Sequence, residues 1–143
     1  MTNLQGAIGL AQLEQVDRLV AARRKTAARY LKHLKGMRGL QLPAEKPWAK
    51  NVYWMFGVVL DASVTQSREE VTSALKADGI DTRPFFQPLH SQPAMQKAGC
   101  AESRPFPVAQ NLASRGFYLP STSDLPEATV KRVAASLARA LQA

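Results

Sequence analysis

Val52-Tyr-Trp-Met-Phe-Gly-Val-Val-Leu60 holds six β-branched or aromatic residues in nine positions. That composition reads as a strand with both faces largely covered, since branched and aromatic side chains pack well on a pleated surface. Its apolar part, Met55 to Leu60, is far too short to cross a bilayer. Pro43 and Pro47 mark the loop that leads into it. After it, Ser67-Arg-Glu-Glu70 has the form of a capping box, and the helix it opens places Val71, Ala74 and Leu75 on one face before ending at Gly79.

Working outward toward the N-terminus, Thr2-Asn-Leu-Gln5 is another capping box. Leu4, Ile8, Ala11, Leu19, Ala27, Leu31 and Leu34 follow at helical spacing, with Leu13, Val16 and Val20 widening the stripe. One long helix is expected here, running to Leu34 and stopping near Gly36 and Gly39. Gly6 and Gly9 in its first turns serve either tight packing or contact with another subunit or a ligand.

Toward the C-terminus, Ile80-Asp-Thr-Arg-Pro-Phe-Phe86 reads as a short extended piece, and Pro84 places it at a sheet edge or loop mouth. Five prolines punctuate residues 84–107, a span long enough to mark a functional loop. Val108 to Arg115 form a short helix ending at Gly116, and Phe117-Tyr-Leu119 a brief strand closed by Pro120. Asp124 is the expected cap of the last helix, with Pro126 and Glu127 in its first turn and Val130, Val133, Leu137 and Leu141 on one face. The expected fold is therefore α+β, a small sheet covered by helices and opened by a long N-terminal helix.

At 143 residues and 15.6 kDa the chain makes a single domain, 1–143. A two-lobed cofactor enzyme does not fit this length. One cysteine excludes an internal disulfide framework and a cysteine-built zinc site, and two histidines make no cluster. With no secretory leader pattern at the N-terminus, a reducing cytoplasm is the expected address. The net charge of +8 lies in one place: residues 18–38 hold eight basic and no acidic residues, while the rest of the chain carries 11 of each sign. That helix reads either as a solvated face or as an electrostatic footprint for an acidic partner or nucleic acid.

No residue stands out as a self-contained catalytic group. His90 reads as a structural residue, a substrate contact or a proton carrier. Arg83 and Arg104 suit either a phosphate clamp or a surface ion pair, and Cys100 an incidental thiol. Trp54, read at mid-strand, is either core or a ligand platform.

Met1-Thr-Asn-Leu-Gln-Gly-Ala-Ile-Gly-Leu-Ala-Gln-Leu13, Asn51-Val-Tyr-Trp-Met-Phe56, Gly79-Ile-Asp-Thr-Arg-Pro-Phe-Phe86, Pro88-Leu-His-Ser-Gln-Pro93, Phe106-Pro-Val-Ala109 and Gly116-Phe-Tyr-Leu-Pro-Ser121 together carry a family resemblance. In this order and spacing they resemble the C-terminal part of DegT-type nucleotide-sugar aminotransferases, pyridoxal-phosphate enzymes of the aspartate aminotransferase fold. Among these they are most similar to the perosamine synthases, which aminate GDP-4-keto-6-deoxymannose with glutamate. The resemblance implies a lobe that completes a substrate site and a dimer interface and is inactive alone, since the family's Schiff-base lysine would lie upstream of Met1. It also implies that His90, Arg83, Trp54, Phe85 and Phe86 lie on the sugar-nucleotide side, with each phenylalanine reading equally as a structural residue. Thr2 and Asn3 match a helix start that faces the cofactor phosphate of a neighbouring subunit.

Overall fold

The computed structural model describes residues 1–99 and 105–142; Cys100 and Arg104 lie outside them. Both capping boxes form. Thr2 Oγ1 accepts from the Gln5 amide at 3.3 Å while Gln5 Oε1 accepts from the Thr2 amide at 2.8 Å, opening α1 (Asn3–Leu13). Ser67 and Glu70 make the same exchange at 3.2 and 2.7 Å, opening α3 (Arg68–Ala77). These motifs need only residues three apart, so they form wherever the chain is free to turn.

The long first helix divides into α1 and α2 (Val16–Leu34). At the break the Gln15 amide donates to Gln12 O rather than one residue further back, and Gln15 leaves helical geometry while its side chain accepts from Arg18 at 2.6 Å. The two halves then have different environments. α2 buries Thr26, Ala27, Tyr30 and Leu34, whereas α1 buries nothing, leaving Leu4, Ile8, Leu10 and Leu13 exposed. Gly6 and Gly9 make no tight packing within the described chain: a Cβ would meet only the far end of Met1 at Gly6, and nothing at Gly9.

Four strands, β1 (Leu40–Gln41), β2 (Phe56–Leu60), β3 (Arg83–Pro84) and β4 (Gly116–Leu119), pair antiparallel in the order β1-β2-β4-β3. The strand expected over 52–60 begins only at Phe56, so Trp54 lies outside the sheet and is 65% exposed. β1 carries too little pattern to be read from sequence. Five-residue α4 (Pro93–Lys97), α5 (Pro107–Arg115) and α6 (Glu127–Ala140) complete the fold; α4 and a turn of 3-10 helix at Leu89–Ser91 order part of the proline-rich span. α6 is capped by Pro126 and not by Asp124: the proline holds extended backbone at ψ 148° and the helix starts after it.

Period-2 alternation divides the sheet into two faces. Phe56, Val58 and Leu60 of β2 and Phe117 and Leu119 of β4 point into the core, where they meet Tyr30 and Leu34 of α2, Val71 and Leu75 of α3, and Val130, Val133 and Leu137 of α6. Tyr30 stacks on Phe56 at 4.8 Å and donates to Pro120 O at 2.7 Å. Burial pushes its phenol pKa far up, which keeps it neutral. Asp78, after α3, accepts from Ser136 at 2.5 Å and Arg139 at 2.7 Å on α6; these hydrogen bonds hold its carboxyl below the usual range.

The opposite face carries Gly57 and Gly116, with the Phe85 ring lying over both. A Cβ at Gly116 would sit 2.7 Å from Phe85 Cε2 and 2.5 Å from the carbonyl oxygen of Leu112. The ring could move but the backbone oxygen could not, so Gly116→Ala is expected to cost about 1–3 kcal/mol, the scale of an overpacked site. Urea unfolding measures this, and a loss below about 0.5 kcal/mol would show that the Leu112 carbonyl does not close off the space beside Gly116.

Candidate functional site

The register Arg83↔Tyr118 and Gly57↔Tyr118 sets Arg83, Tyr118 and Gly57 in one row across β3, β4 and β2, on the face turned away from α2, α3 and α6. Aromatic rings gather there. Phe85 packs on Tyr118 with centroids 4.5 Å apart, Phe86 lies 6.1 Å from Tyr118, and Trp54 stacks on Phe86 at 6.5 Å and 21° between planes. Trp54 and Phe86 are about two-thirds exposed, at 65% and 68%. Four sequence candidates, Trp54, Phe85, Phe86 and Arg83, are thus brought to one face.

They differ in what they do there. Phe85 is half-buried and fills the space over two glycines, while Trp54 and Phe86 present apolar rings to solvent. A patch of that kind, edged by a cation, can take the flat face of a base or sugar and the charge of a phosphate. Arg83 pairs with Asp81 at 3.1 Å, both side chains about three-quarters exposed, a geometry that holds the guanidinium only weakly.

His90 is not part of this group. It stacks on Phe106 at 4.6 Å and lines a separate cleft of about 480 Å³ with Arg68, Gln87, Ser91, Gln96 and Gln110. Its Nε2 is shut off from solvent and has no hydrogen-bond partner among the described residues. Thr2 and Asn3 stand apart again, at the start of α1, where the capping box occupies the Thr2 and Gln5 amides and leaves those of Asn3 and Leu4 pointing outward. Among the described residues no group of acidic, histidine or cysteine side chains could hold a metal ion, and no helix is long and apolar enough to cross a membrane.

The basic helix is largely occupied by the fold. Arg23 donates to Trp54 O and Ser121 O at 3.0 and 2.7 Å, Arg24 to Asn51 O and to Glu45, and Arg29 to Leu125 O at 2.6 Å. Lys32 pairs with Glu127 at 3.4 Å. Replacing Arg23 and Arg24 therefore disturbs backbone anchoring as well as charge. These anchors, and Arg115, which donates to Leu60 O, Asp61 O and Val64 O, join residues 21 to 98 apart and leave no local trace in sequence.

Residues 1–138 match the DegT/DnrJ/EryC1/StrS aminotransferase family. The chain belongs to that family. The GDP-perosamine synthase of Vibrio cholerae is 35% identical over 133 residues, covering 93% of this chain and 35% of that protein. The GDP-perosamine synthase of Caulobacter vibrioides is 34% identical over 142 residues, covering 99% and 38%. Among solved structures, DesV of S. venezuelae in complex with a ketimine intermediate superposes with a TM-score of 0.82 at 31% identity, over 94% of this chain and 35% of that one. The chain thus spans little more than a third of the length of the curated relatives it matches, and its small antiparallel sheet and helices correspond to part of a fold type I aminotransferase.

DegT-family aminotransferases depend on pyridoxal phosphate, whose aldehyde takes a lysine amine held in a closed pocket. The eight lysines here do not fit that need, because all are exposed. Lys25 and Lys50 come closest, lining an open groove of about 650 Å³ beside Glu45. That carboxylate is already engaged by Arg24 at 2.9 Å, which together with the Asn51 amide keeps its pKa below the usual range. No imine step is assigned to this chain.

Proposed function

We propose that this chain is the C-terminal lobe of a pyridoxal-phosphate-dependent nucleotide-sugar aminotransferase of the perosamine-synthase kind, acting on GDP-4-keto-6-deoxymannose with glutamate as amino donor. Its share of the work is to complete the sugar-nucleotide site and a subunit interface, and it is inactive as a transaminase by itself. The observation that carries this reading is the exposed Trp54–Phe86 pair on the same sheet face as Arg83. The kinship with two enzymes named GDP-perosamine synthase supports the choice of substrate.

Within that reading Trp54 and Phe86 take the flat part of the nucleotide sugar, and Arg83 exchanges its exposed pairing with Asp81 for a diphosphate oxygen. His90 is the further substrate contact that the resemblance implies, placed at the neighbouring cleft with Arg68 and Gln110. The outward Asn3 and Leu4 amides receive a phosphate oxygen of the cofactor, beside Thr2. The exposed Leu4, Ile8, Leu10 and Leu13 of α1 form the face that a second subunit or the rest of the enzyme covers.

GDP titrated into the Trp48→Phe protein, where Trp54 is the sole indole, tests the substrate platform. GDP is expected to quench Trp54 emission, and Phe86→Ala to weaken the affinity about tenfold, the scale of one base–aromatic stack. Unchanged affinity in the Phe86 variant would remove the pair from the site.

A further inference from the structure

Tyr53 has φ +49°, the sole positive φ of a non-glycine residue among the described residues. A bulky aromatic in this region is a genuine outlier, and such strain persists only where the surroundings over-determine it. The surroundings here supply several such constraints. Asn51 Oδ1 accepts from the Tyr53 amide at 2.8 Å, and Glu45 accepts from the Asn51 amide at 3.1 Å and from the Tyr53 hydroxyl at 3.2 Å. Arg24 grips both Glu45 and Asn51 O, and its guanidinium lies 5.8 Å from the Tyr53 ring centre. Arg23, the adjacent residue on α2, takes Trp54 O at 3.0 Å and anchors it to Ser121 O at 2.7 Å. The Tyr53 ring itself is buried against Phe56.

Four side chains therefore fix three residues, and the product of that fixing is an indole turned out to solvent. Had Tyr53 continued extended backbone from β2, successive side chains would alternate about the sheet plane. Instead the chain bends at Trp54 and Met55, ahead of β2; the left-handed residue before the bend buries its own ring in the core while the indole lies on Phe86.

We propose that Arg23, Arg24, Glu45 and Asn51 are positioning residues, a clamp that holds Tyr53 left-handed and so presents Trp54, stacked on Phe86, as a pre-set face for the base or sugar of the substrate. The proposal rests on the reading of that aromatic pair as the substrate platform. Two consecutive residues of the basic helix thereby acquire a purpose that their charge alone does not describe: one secures the carbonyl before Tyr53's neighbour Val52, the other the carbonyl after Tyr53. Pre-setting an aromatic face before binding avoids ordering it afterwards, and so favours affinity.

The test reads Trp54 alone, in the Trp48→Phe protein, by acrylamide quenching and anisotropy without ligand. Asn51→Ala, which removes the acceptor for the Tyr53 amide, is expected to raise the quenching constant about twofold and lower the anisotropy, as Phe86→Ala does. Asn51→Asp, which keeps the acceptor, is expected to stay nearer the parent. Arg23→Gln acts from the other end of the segment and decides the matter if Asn51→Ala does not fold. Parent-like quenching in the folded alanine and glutamine variants would overturn the clamp. GDP affinity is measured on the same proteins and is expected to fall about fivefold with the clamp broken. Absence of any GDP response in the parent counts against the nucleotide reading, while the ligand-free quenching still decides the clamp.

Discussion

Phe117→Ala is expected to lower the unfolding free energy by about 3–5 kcal/mol, the range for truncating a buried aromatic in a packed core. Phe117 is fully buried, sits opposite Val58 in the register, and belongs to the central pair of strands that carries the sheet. The space left by its ring cannot close without moving β4, whose neighbours β2 and β3 are tied to it on both sides. A single domain is worth only about 5–15 kcal/mol, so the variant loses a large part of its stability. Equilibrium urea unfolding with an unchanged m-value measures the effect, and a loss below about 1 kcal/mol would mean that the core is not organised around this strand.

Stoichiometric pyridoxal phosphate, added to this chain and reduced with borohydride, is expected to leave no lysine specifically pyridoxylated and to give no internal-aldimine absorbance. The reasons are local. Each of the eight lysines is exposed, and Glu45, beside Lys25 and Lys50, is held by Arg24, Asn51 and Tyr53. An exposed lysine has no pocket that holds the aldehyde carbon against its amine and shuts out the water that hydrolyses an imine. Mass spectrometry of the reduced protein decides the point. One lysine labelled to completion, with the label lost on its replacement, would show an imine site in this lobe and contradict the division of labour proposed above.

Local signals were legible and long-range ones were not. Ser67 with Glu70, and Thr2 with Gln5, announce helix starts because the partners lie three residues apart. The branched and aromatic composition of residues 52–60 likewise announces a strand without any knowledge of its neighbours. By contrast, the strand reading over 52–60 overran its start. Nothing in the run itself tells of Arg23 and Arg24, about 30 residues upstream, holding the carbonyls of Trp54 and Asn51. Asp124 looked like a helix cap on residue type, yet Pro126 takes that place. The aromatic stretch and Arg83 were recognisable as site candidates from the family resemblance, but their division from the His90 cleft depends on tertiary packing alone. Trp54 is the clearest case: read as mid-strand, it emerges outside the sheet because the chain bends at Trp54 and Met55, just after the left-handed Tyr53 and before β2 begins.

In the function proposed above, this lobe supplies the nucleotide-sugar side of an aminotransferase site. Grafting the chain onto the Vibrio cholerae GDP-perosamine synthase, in place of the region it matches, tests it most directly. The hybrid is expected to aminate GDP-4-keto-6-deoxymannose with glutamate, and Phe86→Ala in the grafted lobe to raise KM about tenfold with kcat little changed, the mark of lost ground-state binding. A folded, cofactor-loaded hybrid that transfers no amino group, or one whose KM is indifferent to both Trp54 and Phe86, would contradict it.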